Sequence, residues 1–499
     1  MNIRLVGNLL GKILLLEAGL MVPSLAVSLV YRGPDRMAFI ATILLLLAAG
    51  GAASRFVRPK SHDMRAREGF LVVSAAWILL SLFGCLPFYI SRAIPHFVDA
   101  LFEAVSGFTT TGASILSEIE SLPRGILFWR SFTHWIGGMG VLVLTLAITP
   151  KVTGRTSHLV RAESPGPDLS KLVPRMGETA KILYLIYVAL TVLNIFALLL
   201  AGMNPYDACI HAFGTAGTGG FSSRNASVGA YASPAIDAIT TVFMLMFGLN
   251  FAFYFHALSF GVRKAIRNEE VVCYLGVVAV AVCIVTLNIL PIYGGSLFKS
   301  LRYASFQVAS VVSTTGYSTT DFNAWPQMSR AVLMALMFIG SCAGSTAGGI
   351  KVIRIMLLCK SVRREVEHTF MPRRVSVVKL DGKAVEENIL GQIGLFFFAF
   401  MLLLIMGSVF VSIDGFSMTT NFTAVLSMLS NVGPCFGSEV GVVGNYSVFG
   451  TPSKVFLSFC MLAGRLEIFP MLILLHPRAW STQARTGLRR PKGKMRRRL

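Results

Sequence analysis

The chain has 499 residues, of which 54% are hydrophobic and only 14% charged. Apolar windows of about twenty residues recur along it, each long enough to cross about 30 Å of hydrocarbon, which excludes a soluble globular domain. Basic residues outnumber acidic ones 45 to 24; in a membrane protein such an excess is read first as an orientation signal.

In chain order the apolar runs predict crossings over 10–31, 37–54, 69–90, 125–150, 180–202, 235–262, 271–291, 327–350, 388–412 and 452–476. Ten crossings leave both termini in one compartment, and most of the 45 basic residues then fall on that side, in 55–67, 151–181, 263–267, 351–383 and the tail. The positive-inside bias makes that side the cytoplasm. The tail RRPKGKMRRRL reads as an orientation signal and lipid-headgroup contact, with no nucleic acid implied. The first run lacks a small-residue cleavage site and leads into a second span, so it is expected to be a retained helix. The eight cysteines form no CxxC and suggest neither a disulfide framework nor a metal site.

Beyond the first two spans one pattern occurs four times: long span, short apolar segment, polar Thr/Ser/Gly stretch, long span. The polar stretches include TTGAS from Thr110, TGGFS from Thr218, TTGYS from Thr314 and NVGPC from Asn431. Their third residues are Gly112, Gly220, Gly316 and Gly433, spaced by 108, 96 and 117 residues. Each glycine follows an apolar segment of about a dozen residues, too short to span and suited to a half-membrane helix that dips in and returns. The expected organisation is two N-terminal transmembrane helices (1–66), four helix/pore-loop/helix repeats (67–165, 166–268, 269–383 and 384–478) around a central pore, and a basic tail (479–499). The fold class is thus an all-α polytopic membrane protein.

Backbone that leaves a helix inside the bilayer strands amides and carbonyls, at several kcal/mol each, unless protein or water meets them. Four such loops converging on one wet axis turn that liability into a binding site, because a ring of carbonyls replaces the water shell of a cation. Glycine suits the turn because it accepts φ > 0, and threonine hydroxyls supply further oxygens. The candidate ligand set is Thr110, Thr111 and Gly112; Thr218, Gly219 and Gly220; Thr314, Thr315 and Gly316; Asn431, Val432 and Gly433. Each short helix would aim its partially negative C-terminal end at the axis, favouring positive ions. Close helix packing through small residues is the better reading of one such stretch alone, but not of four in register.

The sequence also contains SGFTTTGAS, HWIGGMG (His134 to Gly140), GSCAGSTAGGIK (Gly340 to Lys351) and AGRLEIFP (Ala463 to Pro470). With the four repeats, these motifs make the whole chain resemble the TrkH/KtrB/HKT superfamily of potassium transporters, and within it the bacterial TrkH type. The resemblance implies a homodimer in the bacterial inner membrane, a pore in each protomer that moves K⁺ inward with the membrane potential, and a cytosolic nucleotide-binding regulator of the TrkA type. Glycine at 112 favours K⁺, since the sodium-preferring plant branch carries serine at the first of these positions. The fourth loop departs from the pattern, with Cys435 where members often carry glycine.

Two further features concern gating. Gly340, Gly344, Gly348 and Gly349, with Ser341, Ser345 and Thr346 between them and Lys351 at the end, should weaken or break the second long helix of the third repeat. The resemblance makes this an intramembrane loop that obstructs the pore until the partner moves it; a small-residue packing face is the other reading. It is not a phosphate-binding loop, because Ile350 separates the glycine from Lys351 and no Ser or Thr follows. Arg465, deep in an apolar span, faces either the pore below the loops or a structural partner such as Glu467. Asp99 and Asp207 are expected to cap the first two short helices, and His134, His211 and His256 to pack. A Na⁺- or H⁺-coupled symporter is the alternative within transport. An enzyme is disfavoured, with no HExxH, paired mid-membrane acids or His/Cys cluster.

Overall fold

The computed structural model describes residues 3–57, 66–140, 176–374, 376–437, 439–441 and 445–477. The basic tail and most of the 151–181 loop lie outside these. Within the described residues the chain is mostly helical, and its strands are one two-stranded ribbon pairing Lys379–Leu380 with Lys383–Ala384.

The N-terminal helices Ile3–Val30 and Arg36–Phe56 lie against each other. In lipid, apolar side chains gain little by leaving their solvent, so helices associate through close backbone approach and hydrogen bonds. Here Gly11 faces Gly50 with no room for a side chain on either, and Asn8 Nδ2 donates to Ser54 O at 2.8 Å.

The four predicted short helices are present at Phe97–Phe108, Pro205–Gly217, Leu297–Val312 and Met418–Ser430. At 12 to 16 residues none reaches across a bilayer. Asn204, Ser296 and Ser417 cap three of them by accepting from a backbone N–H in the first turn.

Among the described residues six helical stretches are long and apolar enough to cross a membrane: Ile3–Val30, Arg36–Phe56, Glu68–Ile90, Ala180–Leu200, Glu269–Ile289 and Glu387–Asp414. They match the two N-terminal spans and the first span of each repeat. The second spans of the second and fourth repeats, expected to be continuous, are not, and that of the third breaks where its glycines were expected to break it. Pro234–Gly248 and Phe251–Phe260 meet at 89°, Gln327–Ile339 stops before the glycine-rich segment, and Thr451–Arg465 is separated from Phe469–Leu475. In the first repeat Arg124–Gly138 ends just before the undescribed residues. Two of the causes are local and the third is tertiary. Asn250 starts a new helix by accepting from Ala252 N at 2.9 Å, Gly340 takes φ 67°, and Glu467 and Ile468 take φ 57° and 65°. A β-branched residue at such a φ is strained by about 1–3 kcal/mol and persists only where packing over-determines it.

Candidate ion-binding ring and the loop beneath it

Each short helix ends in the same way. The N–H of Thr111, Gly219, Thr315 and Val432 bonds the carbonyl five residues back, on Ser106, Gly214, Ser310 and Ser427, at 2.8–2.9 Å. This is the Schellman closure, and it needs a left-handed residue just after the helix. Thr110, Thr218, Thr314 and Asn431 hold that position at φ 54–56°. One residue separates each from a second positive φ, at Gly112, Gly220, Gly316 and Gly433 (77° to 97°). Four loops of different sequence thus share one backbone track.

The loops also meet. A side chain on Gly112 would collide with the carbonyl oxygen of Gly219, one on Gly220 with that of Thr315, one on Gly316 with that of Val432, and one on Gly433 with that of Thr111. The sequence of contacts runs from first loop to second, third, fourth and back to first, so the four loops form a closed ring. All four border one small cavity of about 40 Å³, lined by Gly112, Gly220, Gly316 and Pro434 together with Arg130; that is space for a few water-sized bodies. Among the described residues no three His, Cys, Asp or Glu side chains converge on a metal site.

The side chains of the candidate set do different work. Thr111 Oγ1 bonds Thr109 Oγ1 at 2.8 Å and receives Asn431 Nδ2 at 2.9 Å, and Thr315 Oγ1 bonds Ser313 Oγ at 2.7 Å; these hydroxyls brace helix ends. Thr218 Oγ1 donates to Gly217 O at 2.6 Å. Thr110 Oγ1 and Asn431 Oδ1 are buried oxygens without a partner among the described residues. The ring is braced from behind: Tyr446 donates to Gly433 O at 2.7 Å and Tyr317 to Phe221 O at 3.2 Å. A buried ion pair, Arg130 Nε to Glu103 Oε1 at 2.6 Å, lies beside it, with Arg130 also donating to Ser222 O at 3.2 Å. Cys435 is fully buried behind the fourth loop, whose Gly433 has the widest φ of the four ring glycines, 97°.

The glycine-rich segment from Gly340 to Lys351 is a loop, not a helix, and it lies against the ring. Gly348 N–H donates to Thr314 Oγ1 at 2.7 Å, and a side chain on Gly348 would meet Ser430 O. Gly340 and Gly349 press together where the loop begins and ends. Ser341 Oγ donates to Val312 O at 2.8 Å, Cys342 N to Gly248 O at 3.1 Å, and Phe251 N to Gly344 O at 3.1 Å. Ser345 Oγ closes a turn on Cys342 O at 2.6 Å, and Lys351 Nζ turns back to Ala347 O. Arg465 ties the loop to the first repeat, donating to Thr346 O at 2.7 Å, Gly137 O at 2.6 Å and Gly138 O at 2.7 Å. The loop therefore touches elements of all four repeats.

Several expectations are corrected. Glu467 pairs with Arg354 at 2.6 Å, not with Arg465. Asp99 and Asp207 are not caps; His96 and Asn204 hold those positions. Asp99 receives Lys454 Nζ at 2.7 Å, and Asp207 receives Ser223 Oγ at 2.6 Å. His134 is more than packing: Nδ1 is 2.7 Å from Gly107 O and its ring covers Gly219. The Glu103–Arg130 pair went unseen because 27 residues separate its members, and no short motif links them.

Short helices ending on a ring of main-chain oxygens, inside a bundle of spanning helices, define a membrane transport protein. The family model described as TrkH, cation transport protein, matches residues 35–482. The chain is 38% identical to the Trk system potassium uptake protein TrkH of Escherichia coli over 486 residues, 96% of this chain and all of that one. It is 31% identical to TrkG of the same organism, covering 96% and 99%. The crystal structure of the potassium transporter TrkH from Vibrio parahaemolyticus superposes with a TM-score of 0.87 at 36% identity, covering 96% of this chain and 100% of that one. The chain belongs to the TrkH family of cation transport proteins, and its work is transport rather than catalysis.

Proposed function

We propose that the chain carries K⁺ into the cell through a gated pore whose selectivity filter is the four-loop ring. The observation that carries the reading is the closed ring of contacts, each glycine Cα resting on the carbonyl of the next loop. A dehydrated alkali cation needs several hard oxygens at once, and stacked rings of four supply them. Alternating signs of φ at Thr110 to Gly112 and its three counterparts let successive carbonyls turn to one side. Four helix C-termini add partial negative charge. Potassium as cargo is also what the relatives' names state.

The Gly340 to Lys351 loop is the gate in this reading. It abuts the inner side of the ring through Gly348 and is held by Thr314 and by Arg465. A cytosolic nucleotide-binding regulator of the TrkA type would act by breaking these bonds. The chain functions as a homodimer in the bacterial inner membrane, with both termini cytoplasmic. The test of the filter is Gly316→Ser: a side chain there has no room beside Val432 O and no comfort at φ 80°. Rubidium and sodium uptake into proteoliposomes should lose discrimination, and unchanged selectivity in the variant would remove the ring from the permeation path.

A further inference from the structure

A cavity of about 600 Å³ lies away from the ring, where the broken helix of the second repeat turns through 89°. Its walls carry Lys264, Arg267 and Lys383 beside Phe253, Phe260 and Val271. Its size is that of a small-molecule site, and its walls join the helix Phe251–Phe260 to the turn that precedes Glu269–Ile289. Asn250 and Phe253 belong to the bend, beside Gly344 of the glycine-rich loop. Lys264, Arg267 and Asn268 lead into the start of the spanning helix Glu269–Ile289, where chain leaves the bilayer. Asp381, the one carboxylate on the wall, is taken up by Asn268 Nδ2 and Glu269 N–H, each at 2.8 Å. Among the described residues no carboxylate pairs with Lys264, Arg267 or Lys383, so the cavity keeps a net positive edge. The adjoining helix presents Leu258 and Phe260 outward, 84% and 60% exposed, as a segment lying in acyl chains does.

From this we infer that the cavity binds an anionic phospholipid, its headgroup on Lys264, Arg267 and Lys383 and its acyl chain along Phe253, Phe260 and Val271. Apolar depth with cations at the membrane boundary is the complement of an anionic amphiphile, and basic pockets between spanning helices take such headgroups. A free anion leaves the apolar wall bare, and a zwitterionic lipid brings a cationic group to the basic wall and no net charge to offset it.

The test uses the full-length protein in detergent with phosphatidylglycerol added, read by native mass spectrometry and by the thermal unfolding midpoint. Phosphatidylglycerol should remain bound and raise the midpoint. Lys264→Gln with Arg267→Gln and Lys383→Gln, all exposed positions, should weaken retention by at least about tenfold, since each basic residue near an anionic headgroup contributes several-fold. Arg363→Gln with Arg373→Gln and Arg374→Gln, basic and exposed but off the cavity, should leave retention unchanged. Equal retention by the two triple variants overturns the assignment, as does equal stabilisation by phosphatidylcholine or by inorganic phosphate.

Discussion

Arg465 offers the sharpest test of the gate, because its bonds can be weighed. Its guanidinium holds three carbonyls, and only the 2.7 Å bond to Thr346 O reaches the glycine-rich loop. A hydrogen bond from a charged donor contributes about 1.5–3 kcal/mol net, so losing this one shifts the loop toward release by roughly tenfold to 150-fold. Removing the charge also removes a repulsion of about 2 kcal/mol on a cation passing at about 8 Å in an effective dielectric near 20. Arg465→Ala should therefore raise rubidium uptake into proteoliposomes at fixed inside-negative voltage, without any partner, by at least about tenfold. Arg465→Lys keeps the charge and loses the fork, so it should give a smaller rise that reports the latch alone. A variant that unfolds at the same temperature as the parent but transports no faster would refute the latch.

Deleting Gly344 to Gly348 removes the segment bonded to Thr314 and Arg465, so basal rubidium flux should rise; an equally closed or slower protein ends the loop's gating role. Glu103→Gln or Arg130→Met alone leaves a buried charge unpaired and should cost about 3–5 kcal/mol in detergent unfolding, with the double variant losing clearly less than the sum. Additive losses would mean that the pair does not act as a unit. Glu467→Gln should lower the unfolding midpoint in the parent but hardly at all in an Arg354→Met background, because its salt bridge is to Arg354; a loss that depends instead on Arg465 would contradict that pairing.

The ring positions were legible because they rest on local rules: an apolar segment too short to span, then a glycine, repeated at about a hundred residues. The second left-handed position was open to the same logic, since Asn431 is a residue type that tolerates φ > 0, but three of its four occupants are threonine and hide it. The broken second spans of the second and fourth repeats read as continuous because hydropathy counts apolar residues without asking whether they share one axis. Gly248 followed by Asn250 is a stop and start signal in retrospect; Leu466 to Ile468 carries none, and that break is imposed by tertiary packing. Arg465 stood out as a charge among apolar neighbours, but its partners are backbone carbonyls from two other repeats. Glu467 finds Arg354 across 113 residues. No spacing rule reaches such contacts.

The account rests on main-chain oxygens of four loops surrounding a bare monovalent cation. Anomalous diffraction from crystals grown in rubidium tests this directly. A peak should stand on the axis between the carbonyls of Thr111, Gly219, Thr315 and Val432, and fade when potassium replaces rubidium. Rubidium bound elsewhere in the protein, with that axis empty, would contradict it.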